Sequence, residues 1–114
     1  MVGTQIPETD LQRAQQFCSR YWPERFHDQV RCEYHVRGNT LTLCEKRAPW
    51  DGSGEWTHEP IAQLRFRPET ADWSLHWPDR NTRWHEYHEG NVFAGTMERL
   101  LREVDDDPTG IFKG

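Results

Sequence analysis

The stretch Pro60-Ile61-Ala62-Gln63-Leu64-Arg65-Phe66-Arg67, continued by Trp73-Ser74-Leu75-His76-Trp77 and Thr82-Arg83-Trp84-His85-Glu86-Tyr87-His88, decides the fold. Ala62, Leu64, Phe66, Trp73, Leu75 and Trp77 alternate with polar residues at a period of two, the signature of antiparallel strands with one face buried and one in water. Pro68 to Asp72 and Pro78 to Asn81 supply turn residues between the runs. Facing Phe66 with Trp73 and Leu75 with Trp84 gives core rows Leu64, Leu75, Trp84 and Phe66, Trp73, Glu86. The reverse face then carries Gln63, His76, Arg83 and Arg65, Ser74, His85.

Upstream, Val30, Cys32, Tyr34 and Val36 alternate with Arg31, Glu33, His35 and Arg37, and Gly38-Asn39 predicts a two-residue hairpin turn. Closing that turn pairs Val36 with Leu41 and Tyr34 with Leu43, and sets Cys32 opposite Glu45 and Cys44 opposite Glu33. Cys32 and Cys44 thus point to opposite faces, which disfavours a disulfide between them.

Thr9 with Gln12 resembles a capping box, after which Leu11, Ala14, Cys18 and Tyr21 recur on one helical face. Trp22-Pro23 ends that helix. Ala48 to Glu59 is a long connection whose Trp50 and Trp56 are expected to fold back onto the body, because exposed indoles leave apolar surface in water. Asn91 is expected to cap a final helix with Phe93, Met97, Leu100, Leu101 and Val104 as its apolar stripe. Ile111 and Phe112 are expected to dock on the body. The architecture is α+β: a five-stranded antiparallel meander with an N-terminal and a C-terminal helix packed on one face, in one domain spanning 1–114.

Only 34% of the 114 residues are hydrophobic, but six tryptophans, five phenylalanines and three tyrosines can anchor a small core. A formal net charge of −5 weighs against strong non-specific nucleic-acid binding while leaving a local basic face open. The negative charge collects partly at the ends, in Glu8, Asp10 and Asp105 to Asp107. Three cysteines without a CxxC pair read as free thiols in a reducing compartment, and no apolar run approaches a membrane span, so the chain is expected to be cytoplasmic.

Chemistry-bearing residues concentrate on the reverse face. Arg65, His76, Arg83 and His85 there could hold a phosphate backbone, with Trp50 and Trp56 adding grip. Paired imidazoles at His76 and His85 could alternatively exchange protons with a phosphodiester as in a toxin-like ribonuclease. An ordinary solvated face reads the same way. Cys32 with His35 and His85 with His88 are spaced three apart, which on a strand forbids chelation, so no metal site is expected. Asp105 to Asp107 could hold a hard cation, although acidic runs at a helix end are commonly just solvated. Glu45 has inward parity and needs a partner, as an ion pair or as a perturbed acid. No Gly-rich phosphate loop, nucleophile elbow or HExxH is present, and no cofactor is expected.

Leu43-Cys44-Glu45-Lys46-Arg47-Ala48-Pro49-Trp50, Trp56-Thr57, Pro60 to Arg65, Trp73 to Trp77, Asp79-Arg80-Asn81, Arg83 to Tyr87 and the tail Asp107 to Phe112 together resemble the domain of unknown function 3024 family over nearly the whole chain. The resemblance implies a shared fold and assigns no activity. The functional expectation is a small binding or regulatory module, monomeric or dimeric through a sheet edge, engaging nucleic acid or a protein partner and no membrane.

Overall fold

The computed structural model describes residues 5–49, 51–52, 54–87, 94–108 and 110–112. Helix α1 (Glu8–Tyr21) precedes a 3-10 turn at Glu24–Phe26. Strands β1 (Val30–Arg37), β2 (Thr40–Arg47), β3 (Thr57–Arg67), β4 (Asp72–Pro78) and β5 (Trp84–Glu86) follow as an antiparallel meander. A two-residue strand, β6 (Ala94–Gly95), leads into helix α2 (Met97–Asp106).

The hairpin register is the expected one throughout, from Arg37 opposite Thr40 to Cys32 opposite Glu45. Gly38 carries the turn with a positive φ of 60°, which an L side chain adopts only under strain. Phe66 faces Trp73 and Leu64 faces Leu75, as the alternation predicts. Strand β3 starts at Thr57, ahead of the expected Ile61, so the loop is shorter than the sequence suggests. Pro60 is accommodated opposite Cys44 because the β2–β3 register shifts between Leu43 and Cys44, a bulge where the missing N–H breaks no regular ladder bond.

The β4–β5 register departs from expectation. Pro78 remains in β4 opposite Trp84, Trp77 faces His85 and His76 faces Glu86. The reversal falls after Pro78, where Asp79 accepts from the backbone N–H groups of Asn81 and Arg83, at 2.8 and 3.0 Å. Thr82 sits in the left-handed region at φ 59°. The offset from the expected pairing is odd, so every β5 side chain changes face. Strand β6 then pairs with the other end of β4, through Trp73–Gly95 and Ser74–Ala94.

Both helices pack on the inner face. Ala14, Phe17 and Cys18 of α1 and Met97, Leu100, Leu101 and Val104 of α2 join Leu41, Leu43, Ala62, Leu64, Trp73 and Leu75 in one core. Trp73 Nε1 donates to Asp10 Oδ2 at 3.0 Å, tying α1 to β4 through a polar atom that burial would otherwise strand. The caps differ from the sequence reading. Helix α1 begins after Pro7, whose carbonyl accepts from Asp10 and Leu11, and not at Thr9. Helix α2 is capped by Thr96, whose side chain accepts from the Arg99 N–H at 3.2 Å. Asn91 and Phe93, assigned to that helix from sequence, lie outside the described residues. Phe112 docks as expected, 5.2 Å from the Tyr87 ring, and Tyr87 donates to Glu103 Oε2.

Candidate binding face of the sheet

Alternation along each strand sends Arg31, Glu33, His35 and Arg37 of β1 to the outer face, with Thr40, Thr42, Cys44 and Lys46 of β2. Lys46 pairs with His58, and Arg65 and Gln63 of β3 pair with Thr40 and Thr42. Trp84 of β5 lies on the same side, opposite Pro78. The acids among these positions are Glu33, Asp72 and Glu86. The basic groups are Arg31, Arg37, Lys46, Arg65 and Arg67. A cationic face is thus built into an acidic chain, part of whose negative charge gathers in α2 and in Asp107 after it.

Two tryptophans stand on this face with cations beside them. Trp56 is half-buried, with the Arg31 guanidinium 5.0 Å and the Lys46 ammonium 5.7 Å from its ring. Each contact is of the cation–π kind, and together they seat the loop tryptophan on the sheet. Trp84 closes one side of a shallow hollow of 680 Å³ whose other walls are Arg37, Thr40, Thr42, Gln63 and Arg65. Arg65 Nε donates to Gln63 Oε1 at 2.8 Å and Gln63 donates to Thr42 Oγ1 at 3.1 Å, which aligns the floor. Arg37 makes no ion pair among the described residues. Arg31 and Arg37 lie six residues apart on one strand, a span of roughly 20 Å.

Several charges on the face are already engaged. Lys46 lies 3.5 Å and His35 3.8 Å from Glu33, and Arg67 holds Asp72 in a two-point contact at 2.9 and 2.7 Å. The Arg67 and Thr70 hydrogen bonds depress the Asp72 carboxyl below its ordinary value.

The residues singled out from sequence are thus divided. Arg65 and Trp56 are on the outer face. His76 is there by parity but is buried to 6% exposure and shares a 2.9 Å hydrogen bond with the Ser74 hydroxyl. His85 lies on the inner parity, stacked 4.6 Å from Trp77, with Nε2 2.8 Å from Asp79 Oδ2. That hydrogen bond, with the two backbone N–H donors, draws the Asp79 carboxyl down to about 2. Arg83 is exposed in the turn preceding β5. The expectation that His76 and His85 share a face is corrected by the odd β4–β5 offset. Trp50 and His88 lie outside the described residues. Sequence reading missed Trp84, Arg37, Arg31 and Lys46 as members of the face; the Gly38-Asn39 hairpin already implied the last three.

A second concavity of 560 Å³ opens at the far end of the inner side, between Tyr21 and Trp22 and the strand residues Glu45, Arg47, Thr57 and Glu59, with Phe112 as a wall. Glu45 is ion-paired with Arg47, the partner its inward parity demanded. The Arg47 guanidinium lies 5.8 Å from the Trp22 ring, and burial first of all raises the Tyr21 phenol above its ordinary value. Among the described residues no group of three or more His, Cys, Asp and Glu side chains is arranged to hold a metal ion.

The fold and face define a small α+β domain with a cationic, tryptophan-bearing sheet surface. The chain belongs to the family described as "Domain of unknown function (DUF3024)", whose model matches residues 2–114. Comparison with curated proteins and with solved structures finds no match in either.

Proposed function

We propose that this protein is a binding module that holds single-stranded nucleic acid against the outer face of its sheet. The observation that carries the reading is the gathering of cations and half-buried tryptophans at two places on one face: Trp56 with Arg31 and Lys46 beside its ring, and Trp84 in one hollow with Arg37 and Arg65. Single strands are gripped by this combination, because bases stack on aromatic rings while cations track the phosphates. A duplex offers no unstacked base faces and would engage the cations alone.

The ribonuclease alternative requires two groups converging on one phosphodiester. His76 is buried beside Ser74 and His85 is turned to the opposite side, so the two imidazoles named for that chemistry do not converge.

The test is a tryptophan-fluorescence titration with short single-stranded and duplex oligonucleotides across a salt series, with strand integrity followed in parallel. Single strands should bind more tightly than duplex and remain uncut. Arg31, Arg37 and Arg65, which make no ion pair among the described residues, predict a slope of about −2 for log affinity against log salt. Absence of single-strand binding would overturn the reading, and saturable capture of an acidic peptide instead would assign the face to a protein partner.

A further inference from the structure

A second chemistry sits on the other side of the sheet, at the edge strand. Cys18 on α1 and Cys32 on β1 bring their sulfurs to 3.1 Å, with the Cys32 S–H directed at Cys18 Sγ. The two residues are only 5% and 8% exposed, yet both line a hollow of 380 Å³ whose rim carries Gln15, His27, Arg31 and Glu33. Two thiols from elements far apart in sequence, at van der Waals contact or closer and reachable by a small molecule, are arranged as an oxidisable pair.

We propose that Cys18 and Cys32 form a redox-responsive dithiol site that hydrogen peroxide converts to a disulfide, stapling α1 to the edge strand. Cys18 is the attacking sulfur, because it accepts the hydrogen bond that holds Cys32 as a thiol; that bond, with burial, raises Cys32 far above the ordinary thiol range. The Cys18 thiolate attacks one peroxide oxygen, the O–O bond breaks, and the departing hydroxide takes a proton to become water, leaving a sulfenic acid. The Cys32 sulfur then gives up its proton and attacks Cys18 Sγ, the S–O bond breaks, and a second water departs. One peroxide is reduced and two thiols are oxidised, with the net loss of two hydrogens from the protein. The sulfurs need approach by only about 1 Å to reach bonding distance. Cys44 stands outside this pair: burial, then Glu33, raises its thiol.

Trypsin places the three cysteines on separate peptides, 14–20, 32–37 and 38–46. The reduced full chain, treated with hydrogen peroxide and mapped by non-reducing mass spectrometry, should yield peptides 14–20 and 32–37 joined, separable by dithiothreitol, with Cys44 still open to alkylation. Cys44→Ser should give the same map, and Cys18→Ser should abolish the joined pair. A cross-link through peptide 38–46, or oxidation of Cys44 while Cys18 and Cys32 remain thiols, would overturn the proposal. The map is read on the unmodified chain, so the result does not depend on any variant folding.

Discussion

The two faces of the sheet do different work with the same alternation. The inner face gives Leu41, Leu43, Leu64, Trp73 and Leu75 to a core sealed by both helices, where each residue is at most 1% exposed. The outer face of the same sheet presents Arg31, Arg37, Lys46 and Arg65, with Trp56 and Trp84 on the same side. Burial of the first set supplies the folding free energy, roughly 25 cal/mol for each Å² of apolar surface removed from water. The second set contributes little to that total, since exposed charges and their pairs are worth about 0–1 kcal/mol. That freedom from the demands of folding is what the proposed binding role asks of the outer face.

The contrast between the faces is largest at the core. Leu64→Ala should destabilise the protein by about 3 kcal/mol in urea denaturation, since Leu64 is fully buried and its removal leaves a cavity. Arg65→Ala, the next residue along the same strand, should change stability by less than about 0.5 kcal/mol. If both variants are destabilised alike, the two faces are not divided in this way.

Binding should show the opposite sensitivity. Trp84→Ala should weaken single-strand affinity by roughly 5- to 100-fold, the value of one stacked base. Arg37→Ala with Arg65→Ala should make the salt slope shallower by about 1.4, or about 0.7 for each phosphate that is no longer neutralised. Trp77 on the inner side provides the contrast, and its replacement should leave the salt slope unchanged.

The smallest effect concerns the turn that assigns β5 to its register. Asp79 has a lower carboxyl pKa in the folded protein, about 2, than its ordinary value. Its stabilising effect is therefore present at neutral pH and is lost as pH falls through that depressed value. The wild type should melt at a higher temperature than Asp79→Asn at neutral pH, and the gap should close as the solution is acidified toward the folded-state value.

How much is legible in the sequence follows from how locally each feature is determined. The hairpin register is readable because Gly38-Asn39 fixes a two-residue turn, and one fixed pair sets the rest. The β3–β4 pairing is readable because an apolar row on each strand can meet only one way. The β4–β5 register is not: the turn closes through the Asp79 side chain and a left-handed Thr82, neither of which the residue types announce. That odd offset exchanges His85 for Trp84 on the outer face, so the aromatic and imidazole content of that face differs from the one read from the sequence. The Cys18–Cys32 contact lies between a helix and a strand, where no sequence period reaches. Trp56 folds back as its indole demands, but its seat between Arg31 and Lys46 depends on the β2–β3 bulge.

The most direct test of the division between faces is the set of indole N–H resonances from the chain's six tryptophans, followed by NMR as a short single-stranded oligonucleotide is added. The signals of Trp56 and Trp84 should shift together and saturate at one affinity, while Trp73, bonded to Asp10 in the core, and Trp22 and Trp77 on the inner side stay in place. Shifts confined to Trp22, Trp73 or Trp77, or no shift in any of the six, would contradict the assignment of recognition to the outer face.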